Sequence, residues 1–135
     1  MARFESDSIG TLEVPENAYY GVQTLRGYNN FRITGNPANY GFILNVVKIK
    51  KAAAIVNEKI VSLDKVKADA IVKTCDEILS GALKDEFITD AIQGGAGTTF
   101  NMNVNEVIAN RATELLGGHK GEYTVHPNDH VNFEN

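Results

Sequence analysis

Residues Gln93 to Leu116 read QGGAGTTFNMNVNEVIANRATELL, a glycine-rich loop that runs directly into a helical pattern. Four apolar residues of this stretch recur at the three- and four-residue spacing of one helix face: Val104, Ile108, Ala112 and Leu115. The pattern predicts a helix that begins at Thr98 or Thr99 and ends at Leu116, where the Gly117-Gly118 pair would stop it.

Three asparagines occupy the first turns of this predicted helix, where stronger helix formers are usual: Asn101, Asn103 and Asn105. An asparagine side chain competes with helix formation by hydrogen bonding to nearby backbone. We therefore expect these amides to have specific partners, either within a packed core or at a functional site.

Two further helical patterns precede this one. The first spans about Pro37 to Ile60, and six apolar residues form its predicted inward stripe: Phe42, Val46, Ile49, Ala53, Val56 and Ile60. The second spans Leu63 to Leu79, with Ser62 as its N-cap and Gly81 as its C-terminal stop. Its predicted inward residues are Val66, Ala70, Ile71, Thr74, Cys75 and Ile78.

The remaining patterns complete a mainly α fold class, a multihelical domain with a short N-terminal β segment. Gly10 to Pro15 alternates briefly and ends at a proline, which predicts a short edge strand. Residues 19–31 predict a short helix or an extended arm. At 135 residues the chain is long enough for one core, so we expect a single domain.

Composition excludes several classes of protein. The chain has 13 Lys and Arg against 17 Asp and Glu, a net charge of −4, and no basic block, which argues against nucleic-acid and anionic-membrane partners. No apolar stretch is long enough for a membrane span, and the N-terminus does not resemble a leader, so we expect a cytoplasmic protein. Cys75 is the single cysteine and is expected to be a buried structural thiol. The lysines Lys48, Lys50 and Lys51 are expected to form a solvated helix face.

The glycine-rich loop is the strongest candidate for chemistry. A helix N-terminus offers free N–H groups and a positive dipole end to an anion, and Thr98 and Thr99 add hydroxyl groups there. The loop lacks both the lysine and the further glycine of nucleotide-binding loops, so a small carboxylate suits it better than a phosphate. The alternative is a tight loop-to-helix transition without a ligand.

A second polar cluster lies near the end of the chain. His126, Asp129 and His130 suggest a metal site, but Pro127 argues against the regular helix that would place both histidines on one face. We predict no metal, and interpret the segment as a loop that binds backbone groups or as a secondary anion site.

Three separated motifs resemble the N-terminal region of the aspartase/fumarase superfamily, in the right order across the whole chain. They are Ala18-Tyr19-Tyr20-Gly21-Val22-Gln23-Thr24-Leu25-Arg26, then Gln93-Gly94-Gly95-Ala96-Gly97-Thr98 with Asn101-Met102-Asn103-Val104-Asn105-Glu106-Val107, then Pro127-Asn128-Asp129-His130-Val131-Asn132. Within the superfamily the chain resembles the aspartate ammonia-lyases. Class II fumarases usually carry serine where this chain has Ala96 and alanine where it has Val22, although they share His126 before Pro127.

The resemblance implies a reversible, cofactor-free deamination of L-aspartate to fumarate and ammonia. Thr98, with its neighbours Gly97 and Thr99, matches the family's substrate-binding threonine segment. Asn128 and Asp129 match a stretch that forms a secondary anion site in fumarases. In this family a serine on a mobile loop removes the Cβ proton, and none of the three motifs matches that loop, so we expect no catalytic base in this chain.

The resemblance also implies how the chain fits into a larger enzyme. Residues 1–135 match an N-terminal lyase domain, of which about 127–135 lead into a central helical-bundle domain. Family members are homotetramers whose active sites combine three subunits, so we expect this chain alone to be inactive. Two alternatives stay open: a domain of a class II fumarase-like hydratase, or a stand-alone helical interaction module.

Overall fold

The computed structural model describes residues 2–30, 36, 39–60, 63–89 and 98–132. These residues form the following helices and strands, in chain order: β1 (Ala2–Ser6), β2 (Thr11–Pro15), α1 (Val22–Asn30), α2 (Tyr40–Ile60), α3 (Lys65–Leu79), a 3₁₀ turn (Lys84–Glu86), α4 (Thr98–Leu115) and a π-helical turn (Pro127–Val131). The strands pair antiparallel, with Ser6 opposite Thr11. This architecture confirms the predicted fold class. None of the described helices is long and apolar enough to cross a membrane.

Helix α4 lies at the centre of the domain. It packs against α1, α3 and the π-helical turn, and every residue from Met102 to Asn110 is buried. Val104, Ile108 and Ala112 are fully buried, as their spacing predicts, while Leu115 is half-buried near the helix end. Because α4 is enclosed on several sides, polar residues on its other faces are buried as well, and each needs a partner.

Helix α2 buries a different stripe from the predicted one. Phe42, Ile49 and Ile60 are 57%, 61% and 76% exposed. The buried stripe lies one residue further along the helix and consists of Ile43, Val47, Lys50, Ala54 and Asn57. The prediction was wrong because α2 carries apolar side chains on two faces, and the described part of the fold covers only one of them. The expectation of a solvated Lys50 was also wrong.

Helix α3 starts two residues later than predicted. Its N-cap is Asp64 rather than Ser62, and the Asp64 side chain accepts hydrogen bonds from the backbone N–H groups of Val66 and Lys67 at 2.8 and 3.3 Å. The Val66 side chain is 61% exposed, so its predicted inward position was wrong; the other five predicted inward residues are buried. Gly81 follows the helix with φ +108°, the left-handed conformation typical of a helix stop.

Candidate functional site

The N-terminus of α4 is where the sequence predicts an anion site. The helix begins at Thr98, as predicted. The loop residues 93–97 and the Thr98 side chain lie outside the described part of the structure, so the roles of Gly97 and Thr98 stay predictions. Thr99 is described, and it lines a cavity of about 180 Å³ together with Gln23 and Arg26.

A glycine in α1 allows α4 to approach closely at this point. A Cβ atom at Gly27 would collide with the Thr99 methyl group and would lie 3.1 Å from its hydroxyl oxygen. Since only glycine leaves room here, the crossing of α1 over the start of α4 depends on the residue type at position 27. The position of Thr99 is thereby fixed against a helix of the N-terminal region.

A buried carboxylate from α4 caps the N-terminus of α1. Glu106 is 1% exposed and accepts hydrogen bonds from the backbone N–H groups of Gly21, Gln23 and Thr24 at 3.1, 3.0 and 2.8 Å. The Thr24 hydroxyl donates a fourth, at 2.6 Å. Burial raises the pKa of Glu106, the hydrogen bonds from Thr24 and Gln23 oppose that rise, and the charge of Glu5 adds to it. An anion at a helix N-terminus is stabilised by the free N–H groups and the helix dipole.

A second buried carboxylate, Glu5 of β1, lies beside the first. It accepts hydrogen bonds from the Tyr123 hydroxyl at 2.5 Å and from Val22 N–H at 3.3 Å, and it pairs with Arg3 at 2.8 Å. Burial raises the pKa of the Tyr123 hydroxyl well above its usual range, and the charges of Glu106 and Glu5 raise it further. Tyr123 is therefore a hydrogen-bond donor throughout the physiological range.

Three oxygen atoms of this network converge on Gly21. A Cβ atom there would lie 2.5 Å from Glu5 Oε1 and 2.7 Å from Glu106 Oε2, and it would collide with the Tyr123 hydroxyl. No side chain fits at this position without moving the network. Glycine at position 21 of the Tyr20-Gly21-Val22 motif thus leaves room for the carboxylates of Glu5 and Glu106.

A second cavity, of about 200 Å³, opens beside this network. Its lining includes Glu106, Tyr123, His126 and Asn128. Gln23 lines both this cavity and the one at Thr99, so it forms part of the wall between them. The structure thus places Asn128 and Thr99 on two neighbouring cavities. Both cavities are rich in polar side chains and are large enough for a small polar ligand.

The segment after His126 forms a π-helical turn rather than a loop. His126 Nδ1 caps it by accepting from Asn128 N–H at 3.1 Å and Asp129 N–H at 3.2 Å. His130 Nδ1 accepts from His126 N–H at 2.8 Å. These contacts agree with the interpretation that the segment binds backbone groups. The proposed anion-binding role of Asn128 and Asp129 stays a prediction.

Two of the three asparagines in the first turns of α4 hydrogen bond to other parts of the fold. Asn103 Nδ2 donates to Glu86 O at 3.0 Å, and its Oδ1 accepts from Thr89 N–H at 3.4 Å. Asn101 Nδ2 donates to Asn132 Oδ1 at 3.4 Å. Asn105 is fully buried, and its Oδ1 has no hydrogen-bond partner within the described residues. Hydrogen bonds to backbone groups thus explain Asn103, whereas Asn101 contacts Asn132 at the end of the π-helical turn.

Three buried polar residues were not predicted from the sequence: Glu5, Lys50 and Glu106. Glu106 carried a signal, because it interrupts an apolar run between Val104 and Ile108 in a helix that was expected to be buried. No sequence signal marked Lys50 as buried, because Lys48 and Lys51 beside it suggested a solvated helix face.

Comparisons with known proteins identify the family of this chain. A family model described as "Lyase" matches residues 10–134. An aspartate ammonia-lyase of a Bacillus species is 51% identical over 132 residues, covering 97% of this chain and 28% of that protein. A class II fumarate hydratase of Halobacterium salinarum is 49% identical over 131 residues, with the same two shares covered.

A solved structure is equally similar. The crystal structure titled "fumarate lyase:delta crystallin" from Brucella melitensis superposes with a TM-score of 0.97 at 47% identity, covering 100% of this chain and 32% of that one. The chain thus spans less than a third of the length of the relatives that it matches. With the family model matched along nearly all of its length, the chain belongs to the lyase family that includes aspartate ammonia-lyases and class II fumarate hydratases.

Proposed function

We propose that this chain is the N-terminal part of an aspartate ammonia-lyase, an enzyme of the cytoplasm that works as a homotetramer. The reaction is the reversible conversion of L-aspartate to fumarate and ammonia. A base removes the Cβ proton, and the electron pair is delocalised into the neighbouring carboxylate as an aci-carboxylate dianion. Collapse of the dianion forms the carbon–carbon double bond and breaks the C–N bond, so that ammonia leaves.

The part that this chain plays in the reaction is to bind the substrate's carboxylate. Helix α4 begins at Thr98, and its first N–H groups and the Thr98 hydroxyl would stabilise the charge that grows on the carboxylate. The close crossing of Gly27 and Thr99 supports the rigidity that such stabilisation needs. The serine base comes from another part of the full-length protein, so we propose that this chain alone is inactive.

Ala96 is the observation that favours deamination over hydration. Relatives of both kinds match almost equally well, at 51% and 49% identity, so overall similarity does not separate them. At position 96 this chain has alanine, whereas class II fumarases usually place a serine hydroxyl in that loop. A site that lacks this hydroxyl offers one hydrogen-bonding group fewer for the hydration reaction.

Two hybrid proteins test the proposal. In the aspartase hybrid, this chain replaces the matching segment of the Bacillus aspartate ammonia-lyase; in the fumarase hybrid, it replaces that of the Halobacterium fumarate hydratase. Fumarate is followed by its ultraviolet absorbance, with L-aspartate or L-malate as the substrate. The two unmodified enzymes and the isolated chain serve as controls.

We expect the aspartase hybrid to form fumarate from L-aspartate and the fumarase hybrid to be a poor hydratase. Ala96→Ser should raise the activity of the fumarase hybrid with L-malate. A folded aspartase hybrid without activity, alongside a fumarase hybrid as active as its parent, would establish the hydratase alternative instead. Fumarate formation by the isolated chain would contradict the proposal that the serine base lies in another part of the full-length protein.

A further inference from the structure

Lys50 is a buried lysine in the middle of α2. It is 4% exposed, whereas Lys48 on the same helix is exposed to solvent. Its neighbours on the buried stripe include Val47 and Ala54. Moving an ammonium ion from water into a protein interior is costly unless partners compensate for the lost hydration. A lysine in this position therefore needs a specific reason to be there.

Asn132 is the hydrogen-bond partner of Lys50. Lys50 Nζ donates to Asn132 Oδ1 at 2.9 Å, and Asn101 Nδ2 donates to the same oxygen at 3.4 Å. Asn132 ends the π-helical turn, and Asn101 lies in the first turn of α4. One amide oxygen thus joins α2, α4 and the π-helical turn, which are far apart in the sequence.

The charge of Lys50 has no carboxylate partner within the described part of the chain, where every ion pair involves other residues. Burial lowers the pKa of its ammonium group to about 8, so the group is still mostly protonated at neutral pH. Its titratable neighbour Cys75 has a pKa raised to about 12, mainly by burial, and is neutral there. Lys50 therefore carries a net positive charge into the core, linked by one amide to the start of α4.

We propose that Lys50 is a positioning residue of the anion site at the N-terminus of α4. Acting through Asn132, it holds the Asn101 amide and so fixes the first turn of the helix that presents its N–H groups to a carboxylate. The identity of that carboxylate rests on the proposed function, whereas the hydrogen-bond relay from Lys50 to Asn101 does not.

The relay is tested in the 135-residue chain by nuclear magnetic resonance of the side-chain amides of Asn101 and Asn132. Lys50→Met keeps most of the side-chain length but removes the donor, and we expect it to shift both amide signals. Lys48→Met is the matched control on the solvated side of α2 and should shift neither. An Asn101 signal that stays in place in Lys50→Met would overturn the proposal.

A second variant keeps the test decisive if Lys50→Met fails to fold. Asn132→Ala removes the shared acceptor, and it should shift the Asn101 amide signal on its own. Adding Lys50→Met to Asn132→Ala should then cause no further change at Asn101, because the relay is already broken. An unmoved Asn101 signal in Asn132→Ala, or an independent effect in the double variant, would show that Lys50 does not act through Asn132.

Activity provides a second measurement, in the aspartase hybrid. We expect Lys50→Met and Asn132→Ala each to lower kcat/KM for L-aspartate by roughly 10- to 100-fold per folded molecule, with the double variant no worse than either single variant. Lys48→Met should keep the activity of the unmodified hybrid. Additive losses would contradict the relay. If the unmodified hybrid is inactive, the proposed function fails, and the resonance measurements still decide the role of Lys50.

Discussion

Glu106 and Thr24 are joined by two hydrogen bonds to one carboxylate oxygen, 2.8 Å from the Thr24 backbone N–H and 2.6 Å from its hydroxyl. This contact links the middle of α4 to the first turn of α1, two segments that are 82 residues apart. Gln23, which donates to the same carboxylate, forms part of the wall between the two cavities. The wall between the two cavities therefore depends on the carboxylate of Glu106, which itself lines one of them.

Replacing this carboxylate should destabilise the chain strongly. Glu106→Gln removes the charge and turns an NH₂ group toward backbone donors, so we expect the free energy of unfolding to fall by about 2 to 3 kcal/mol. Urea unfolding followed by circular dichroism measures the loss. Glu13→Gln, on the exposed side of β2, is the matched control and should change the stability by less than about 0.5 kcal/mol. Equal effects at the two positions would contradict the capping role.

Gly21 should not tolerate even a methyl group. Gly21→Ala places a carbon among the oxygens of Glu5, Glu106 and Tyr123, and we expect it to cost about 2 kcal/mol or more of stability, since the buried network must move. At Gly10 nothing lies within 4 Å of the added carbon, so Gly10→Ala is the control and should be nearly neutral. Thermal unfolding of both variants compares them directly. A Gly21→Ala chain as stable as Gly10→Ala would show that the network adapts easily.

Two isoleucines on α2 distinguish its buried face from its exposed face. Ile43 is 2% exposed and Ile49 is 61% exposed. Ile43→Ala should reduce the free energy of unfolding by about 2 to 5 kcal/mol, because it leaves a cavity in the core. Ile49→Ala in the isolated chain should cost less than about 1 kcal/mol. The opposite order in urea unfolding would favour the stripe that the sequence predicts.

Helix α2 shows which features of the fold could be predicted from sequence patterns and which could not. Its existence and its C-terminal end follow from helical spacing, but its buried face does not, because Phe42 and Ile43 both begin apolar stripes. Periodicity identifies a helix with an apolar face, and tertiary packing selects between two such faces. The burial of Lys50 could not be predicted either, because nothing in the local sequence indicates its amide acceptor, Asn132, which is 82 residues away.

The candidate site was partly predictable. The start of α4 at Thr98 follows from local signals, namely the glycine-rich loop and the spacing of apolar residues. Local signals do not predict the network of Glu5, Glu106 and Tyr123, because its contacts join β1, α4 and the segment after α4. Long-range contacts of this kind are set by the fold as a whole and leave no periodic pattern in the sequence.

Cys75 should be chemically inert while the chain is folded. Burial raises the pKa of its thiol to about 12, so at about pH 8 the reactive thiolate is scarcer than in the unfolded chain by a factor on the order of 10³. We expect a thiol reagent to react at least that much more slowly with the native chain than with the chain in concentrated urea. Rapid labelling of the native chain would show that Cys75 is accessible.

The same thiol gives a pH dependence with a definite sign. Between its ordinary pKa of 9.0 and the folded value of about 12, the unfolded chain loses the Cys75 proton while the folded chain keeps it. The folded state then binds more protons, so the contribution of Cys75 to stability falls as the pH rises through this window. The difference in the free energy of unfolding between the unsubstituted chain and Cys75→Ala should therefore shrink as the pH rises through this window. A difference that grows with pH would contradict the burial of the thiol.

A substitution at Thr98 tests most directly whether the N-terminus of α4 binds the substrate carboxylate of a lyase, as we propose. The measurement is kcat/KM for fumarate formation from L-aspartate by the aspartase hybrid carrying Thr98→Val, with Thr124→Val at an exposed position as the control. We expect Thr98→Val to lower kcat/KM by roughly 10²-fold or more, as the loss of one donor to a developing oxyanion does. Thr124→Val should leave it unchanged. A Thr98→Val hybrid with the kinetics of the unmodified hybrid would contradict the claim.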